Sequence, residues 1–491
     1  MMRFAVVSLI VILAVADPPR ESARGSCDGA GATIETGETA GLARPALAHA
    51  ACLLTVYLSG GNARAAVYDE SGAARPNPFP SNPDGSWAFR ALRGRYDLRF
   101  SGVASAGDSV AEAVHCDSAD DTAAIQTILN TRRFARFAPG VCVVGPLFVR
   151  SDTVIELAPA TVLRTRPGYA EGESLLTIQD AANVTIRGHG GALAMNRAEY
   201  TSGEQRYALI IQGSSNVSVE RLTASGAGGD GFYIGAGPIH PYSENVELLH
   251  CVADRNQRNG LSVVSGKNVL IDGGEFRETR GTLPESGIDV EPDEPWERAE
   301  NIRIIGVLTR HNRGGGILVA PAGLGAAPGG AISLEIDGLT SENDGGNSTG
   351  GGIRLALPGP PFRLTHEIGG EIRVSNALIV DPSSWGVAVS RWVRQAPRAV
   401  FQNVVVYNPN AEGTGVTDFG WSAAENEMSV NSGFVVSTIA ADANAGSQRI
   451  EFRECRAEDR RPRPTMGQAF YVHSAAPGAR ADVVREDSPS R

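Results

Sequence analysis

The stretch "NVSVERLTASGAGGDGFYIGAGPIHPYSENVELLHCVADRNQRNGLSVV", Asn216 to Val264, decides how this chain folds. It holds the same pair of phrases twice. An Asn that opens an apolar-rich run (Asn216, Asn245) is followed 15 residues later by a Gly that opens another (Gly231, Gly260). The series extend in both directions: Asn183, Asn268 and Asn301 open further members of the first, and Gly287, Gly316, Gly352 and Gly386 of the second. From Asn216 onward the Asn-to-Gly offsets run 15, 15, 19 and 15. Two interlocked series in constant phase imply two strands per coil, with a third between them. Each run alternates apolar and variable residues, as a strand with one face in a core does. One coil cannot bury that face alone, whereas a stack of coils buries a continuous one. An all-β parallel β-helix is the expected fold. Asn recurring at one coil position is expected to form an amide ladder, each side chain bonding the next coil.

The bulk composition agrees. The chain has 491 residues, 42% of them hydrophobic, which suffices for a packed core. Its 58 glycines carry no triplet period and imply many turns between short strands. A formal net charge of −11 argues against a nucleic-acid backbone or an anionic membrane as partner. The N-terminal "MMRFAVVSLIVILAVADPP" reads as a secretory signal over residues 1–16, so a secreted protein, periplasmic or extracellular, with no membrane association after cleavage is expected. The six cysteines fit no zinc spacing. Proximity in sequence suggests disulfides Cys27–Cys52 and Cys116–Cys142, and Cys251, inside an apolar run, reads as a buried thiol.

Along the chain, residues 17–52 read as a Gly- and Ala-rich linker. Residues 53–105 read as a small β-sandwich-like module, residues 107–473 as the β-helix and residues 474–491 as a disordered tail. The β-helix opens with "DSADDTAAIQTILNT", where Asp120 or Asp121 can cap an amphipathic helix carrying Ala124, Ile125 and Leu129. This opening, followed by strands broken at Gly and Pro, resembles the start of the pectate-lyase/polygalacturonase (pectin-lyase-like) superfamily. There a D-D-T-x-A-[IL]-Q helix caps the first coil of a right-handed parallel β-helix. The resemblance covers roughly residues 115–460 and implies the fold. The catalytic set of polygalacturonases is not reproduced. In "GGDGFYIG" Asp230 matches the second acid of the family's D-D, with Gly229 at the first. In "RNGLSVVSG" Asn259 stands where the His of G-H-G belongs, and no N-T-D or R-x-K stands at a suitable place. The "GHGG" at Gly188 to Gly191 precedes the acid-bearing coils and reads as a turn.

Aligned on the Gly series, the residue two places on is Tyr233, Ser262, Asp289, Leu318, Arg354 and Ala388 in successive coils. The acids are therefore local. "SGIDVEPDEP", Ser286 to Pro295, places Asp289 and Glu291 on one strand face, with Ile288 and Val290 directed into the core, and Asp230 lies two coils away. The four extra residues behind the offset of 19 fall in "FRETRGTLPE", just before these acids, and solenoid insertions tend to line the binding face. We therefore expect Asp230, Asp289 and Glu291 to be catalytic in an outward groove. Asp289 or Asp230 would act as general acid and Glu291 as base, at the 6.5–9.5 Å separation typical of inverting glycosidases, roughly. Tyr233, His240, Asn259, Arg280, Trp296 and Arg354 are expected to contact a polysaccharide, the groove walls coming from the loops of His240, Arg280 and Trp296. Two-carboxylate hydrolysis needs no cofactor. Two alternatives stay open. One is a uronate lyase or epimerase assisted by Ca²⁺ on Asp289, Glu291 and Asp293, as the resemblance implies for some members. The other is a non-catalytic glycan-binding or surface-structural protein.

Overall fold

Asn at the opening of the first series has a backbone reason as well as a side-chain one. Asn183, Asn216, Asn245, Asn268 and Asn301 all adopt φ between 51° and 59°, a left-handed conformation that Asn tolerates better than most residues. Each coil turns there in the same way, and the carboxamides fall into line. Asn216 Nδ2 donates to Asn183 Oδ1 at 3.1 Å, Asn245 to Asn216 at 3.0 Å, Asn268 to Asn245 at 3.1 Å and Asn301 to Asn268 at 2.9 Å. The expected amide ladder is present over all five coils.

The computed structural model describes residues 20–26, 31–35, 53–59, 64–69, 71–81, 86–92, 95–101, 113–116, 118–346, 350–357, 364–409, 432–438, 450–474 and 483–486. Among them, the unit from residue 107 onward contains three parallel sheets of 12, 11 and 11 strands. Every coil visits them in the same order. Ser215–Glu220 lies in the first sheet, Thr223–Ser225 in the second and Phe232–Gly235 in the third, before the chain re-enters the first at Ser243–Leu249. The third strand per coil therefore lies between the Asn and Gly runs, as expected. Val217, Val219, Ala224, Phe232 and Ile234 of this coil all belong to one continuous core.

The Gly column holds too, and glycine is required for a steric reason. A Cβ on Gly231 would lie 2.8 Å from the carbonyl oxygen of Gly260, and one on Gly260 would lie 2.4 Å from that of Gly287. The same clash recurs through Gly316, Gly352, Gly386 and Gly433. The chain passes so close to its copy in the next coil that no side chain fits between. Register follows: Tyr233 pairs with Ser262, Ser262 with Asp289, Asp289 with Leu318, Leu318 with Arg354 and Arg354 with Ala388.

The helix Thr122–Thr131 buries Ile125 and Leu129, whereas Ala124 is exposed. Asp121 stands at the cap position but its side chain bonds to Ser118 and Val143, while Asp120, one residue earlier, accepts the Thr122 N–H at 3.0 Å. The Cys116–Cys142 disulfide is present and Cys251 is a buried free thiol. The leader at 1–16 and the pair Cys27–Cys52 lie outside the described residues. The segment 474–491, expected as a disordered tail, supplies strand Val483–Glu486, which pairs with Ile450–Arg453 in the first sheet. No helix among the described residues is long and apolar enough to cross a membrane.

The N-terminal unit is a pair of four-stranded antiparallel sheets. Trp87 and Phe89 of one sheet and Leu54, Phe79, Tyr96 and Leu98 of the other share a core, which makes it sandwich-like as expected. It begins earlier than expected. Arg20–Ser26 and Gly31–Glu35, read from composition as linker, pair with Ser86–Leu92 and Arg95–Ser101. Both are short and carry few apolar residues, so neither shows an apolar alternation long enough to mark a strand.

Candidate functional site

Strand Ile288–Val290 carries its side chains as the alternation demands: Ile288 and Val290 enter the core and Asp289 faces away from it. The expected open groove at Asp289 is not what the structure contains. Asp289 and Asp230 are fully buried, and of the three expected catalytic acids only Glu291 meets solvent, its side chain 32% exposed. What covers and gathers them is Arg258. Its Nη1 lies 3.4 Å from Asp230 Oδ2 and donates to Ser262 Oγ at 3.3 Å. Its Nη2 lies 3.3 Å from Glu291 Oε2 and 4.0 Å from Asp289 Oδ2, and its Nε lies 3.4 Å from Glu204 Oε2. One guanidinium thus serves four carboxyls from three coils.

The coil between the two aspartates ties them together. Asn259 donates its backbone N–H to Asp230 Oδ1 at 2.9 Å and its side-chain amide to Asp289 Oδ2 at 3.1 Å. Its Oδ1 accepts the Ser286 N–H at 2.9 Å. Expected to contact substrate, Asn259 is instead fully buried and positions the acids. The remaining oxygen of Asp289, Oδ1, is buried and receives no N–H or O–H donor. The Asp289 and Glu291 carboxyls also interact directly with each other.

The electrostatics follow from this packing. Burial, then the Glu291 charge, drives the Asp289 carboxyl well above the usual carboxylate range, against the pull of Arg258. Burial raises Glu291 as well, with Arg258 opposing. Asp230 is raised by burial, opposed by Arg258, Ser262 and the Asn259 N–H. For Arg258 burial disfavours the charge, but Asp230, Asp289, Glu291 and Glu204 outweigh it and hold the guanidinium protonated. Two buried carboxyls that interact this closely titrate as a pair and not singly.

The other expected contacts divide. Tyr233 is at the site: its ring stacks on Tyr207 with centroids 4.8 Å apart, and Asp230 and Arg258 both bear on its hydroxyl. His240 is elsewhere. It pairs with Asp180 at 3.1 Å and lines a separate pocket of about 330 Å³ with Gly213, Ser214 and Tyr242. Arg280 is exposed and lies near Arg197, not against the acids. Trp296 is 48% exposed on a loop whose fold is fixed by Glu297 accepting the Asp293 and Glu294 N–H groups. Arg354 shares the column of Asp289 but is buried beyond Leu318, where burial and then Arg391 lower it to about 10. Asp289, Glu291 and Asp293 do not bring three ligand oxygens together for Ca²⁺. Among the described residues the only group of that kind is Cys116, Asp121 and Cys142, whose sulfurs are bonded to each other. The insertion itself is held internally: Glu285 is buried, accepts the Gly281 N–H at 2.6 Å and pairs with Arg313 at 3.3 Å.

Sequence reasoning missed Arg258 as the organiser, together with Glu204 and Tyr207. The Gly alignment held a signal for the first. Two residues before the Gly stand Gly229, Arg258, Glu285, Gly314, Gly350 and Ser384, so the one cation in that column falls in the coil between Asp230 and Asp289. Glu204 and Tyr207 come from a non-repeating loop before strand Leu209–Gln212 and carry no periodic signal.

The protein is thus a right-handed parallel β-helix with carboxyls gathered around one guanidinium on its third sheet. No protein-family model matches the chain, and no curated protein matches it in sequence. Solved structures match in fold. A polygalacturonase from Erwinia carotovora ssp. carotovora aligns at 13% identity and TM-score 0.46, covering 78% of this chain and 99% of its own. The catalytic unit of a GH87 alpha-1,3-glucanase from Streptomyces thermodiastaticus aligns at 13% and 0.46, covering 96% and 88%. A tailspike protein of E. coli bacteriophage HK620, in complex with a pentasaccharide, aligns at 11% and 0.50, covering 77% and 63%.

Proposed function

We propose that this protein is a polysaccharide hydrolase whose acid is the Asp289–Glu291 pair. The carrying observation is the set of carboxyls raised by burial and gathered on Arg258, since groups perturbed in this way concentrate at catalytic sites. The sharing of one proton would make the pair a proton store above the usual carboxylate range. Glu291, the member open to solvent, would deliver that proton to the leaving oxygen, with Asp289 behind it as a positioning residue. The base must also reach solvent. Asp230 does not, whereas Glu204, with its side chain 49% exposed at the opposite end of the guanidinium, does. Glu204 would activate water, and general acid and base together account for on the order of 10⁴-fold or more of acceleration. The stacked Tyr207–Tyr233 pair supplies an apolar face for a sugar ring. The Cys116–Cys142 disulfide suits an oxidising compartment and supports an exported protein acting on an extracellular or periplasmic polymer.

A lyase or epimerase is less well supported, because a guanidinium occupies the centre of the carboxyls that would have bound Ca²⁺. The test is incubation of the full chain with a polysaccharide panel, following reducing ends and ultraviolet absorbance together. Reducing ends without new absorbance are expected. Unsaturated, absorbing products would replace hydrolysis by elimination.

A further inference from the structure

We infer that the site takes a sugar chain free of anionic groups, so that the substrate is a neutral or amino-sugar polysaccharide and not a polyuronate. The inference deepens the reading of this site as one that binds and cleaves a glycan.

It rests first on what Arg258 can spare. Recognition of a uronate carboxylate calls for a guanidinium fork or an ammonium with free donors. Arg258 presents no such fork to solvent. Its Nη1 is taken by Asp230 and Ser262 and its Nη2 by Glu291 with Asp289 behind, while its Nε makes no hydrogen bond but is buried, 3.4 Å from Glu204. Turning it toward a substrate carboxylate would strand Asp230 and Asp289, both fully buried, without a counter-charge. The next cation along the column, Arg354, is enclosed beyond Leu318.

It rests second on what the accessible surface offers. The groups that reach solvent around Arg258 are Glu204 and Glu291, with Asp293 on the following loop bearing on both Arg258 and Glu204. An ionised carboxylate such as Glu204 or Asp293 is a pure acceptor, and a carboxyl pair sharing one proton keeps acceptor sites unfilled. Sugar hydroxyls, or the ammonium of a hexosamine, supply the donors these oxygens lack, whereas a polyuronate adds like charge in a partly desolvated place. Beside them the Tyr207–Tyr233 pair offers ring faces and no charge.

The experiment is affinity electrophoresis of the full chain carrying Glu291→Gln, at low ionic strength. The gels contain neutral polymers (α- and β-glucans, galactan, mannan, xylan), chitosan, or polyuronates (polygalacturonate, alginate). Retardation by a neutral polymer or by chitosan, absent with both polyuronates and lost in the additional variant Tyr233→Ala, is expected. The glucan-type and chitosan gels separate the uncharged from the amino-sugar source. Retardation by a polyuronate overturns the inference, as does retardation that Tyr233→Ala leaves unchanged. Binding of neutral polymer by a wild-type protein that never cleaves it leaves the inference standing and removes the hydrolase reading. Cleavage of a polyuronate does the opposite. Retardation by no polymer removes both.

Discussion

At the scale of the residue, the site turns on one arginine answering several acids. Removing it leaves buried carboxyls uncompensated, so Arg258→Met should cost about 3–5 kcal/mol at neutral pH, as for breaking a buried ion pair from one side. The loss should shrink in acid, where Asp230, Asp289 and Glu291 take up protons instead. Melting curves of wild type and variant at pH 7 and pH 4.5 check this, and a deficit that stays constant with pH would contradict it. Glu204→Gln should keep the melting temperature and lower turnover on the order of 10²-fold, the loss expected for one general base. Asp289→Asn makes a different prediction. It removes the partner with which Glu291 shares a proton and puts an amide donor beside the Glu291 carboxylate. The proton then leaves Glu291 more readily, and the alkaline limb of the pH–rate profile should move to lower pH. An unmoved limb would separate Asp289 from the chemistry.

At the scale of the element, each coil is held by columns that repeat one contact. Gly260→Ala would place a methyl 2.4 Å from the Gly287 carbonyl oxygen and should destabilise by about 1–3 kcal/mol, as overpacking does, read as a lower urea midpoint. A buried polar column marks the corner between the second and third sheets. There Asp344 accepts from Thr309, Ser341 and both the backbone and side-chain nitrogens of Asn312. Burial nevertheless raises it to about 6. A carboxyl raised on folding contributes stability that is complete below its unfolded pKa and lost as pH rises through the folded one. Asp344→Asn should therefore gain on wild type in melting temperature between pH 4 and pH 7, and a gap that does not change with pH would contradict this. These columns were legible in the sequence because they recur: Asn183 to Asn301 and Gly231 to Gly433 each do one job at one position. Arg258 was legible only as an exception within such a column. Glu204, Tyr207 and the burial of Asp289 were not, because they depend on loops of unequal length folding over the third sheet. His240 and Arg280 were misplaced for the same reason, since nearness in sequence to an acid-bearing coil does not fix the corner around which a loop turns.

At the scale of the molecule, the stack supplies a rigid third sheet and the site is one irregularity upon it. The outward column runs from the exposed Phe148 through Thr177, Ile210, Tyr233 and Ser262 to Asp289. Thr177, Ile210, Ser262 and Asp289 are buried along it, as Arg354 and Ala388 are beyond, and Tyr233 is half-buried. The central claim is that Glu291, at the solvent edge of the cluster, protonates the leaving oxygen of a glycosidic bond. Its most direct test is the rate of reducing-end release by wild type and by Glu291→Gln on one polymer found in the panel, with melting curves of both. The account predicts steady release by wild type, a fall of on the order of 10²-fold or more in the variant, and superimposable melting. Equal release by the two proteins, or no release from any polymer by wild type, would contradict it.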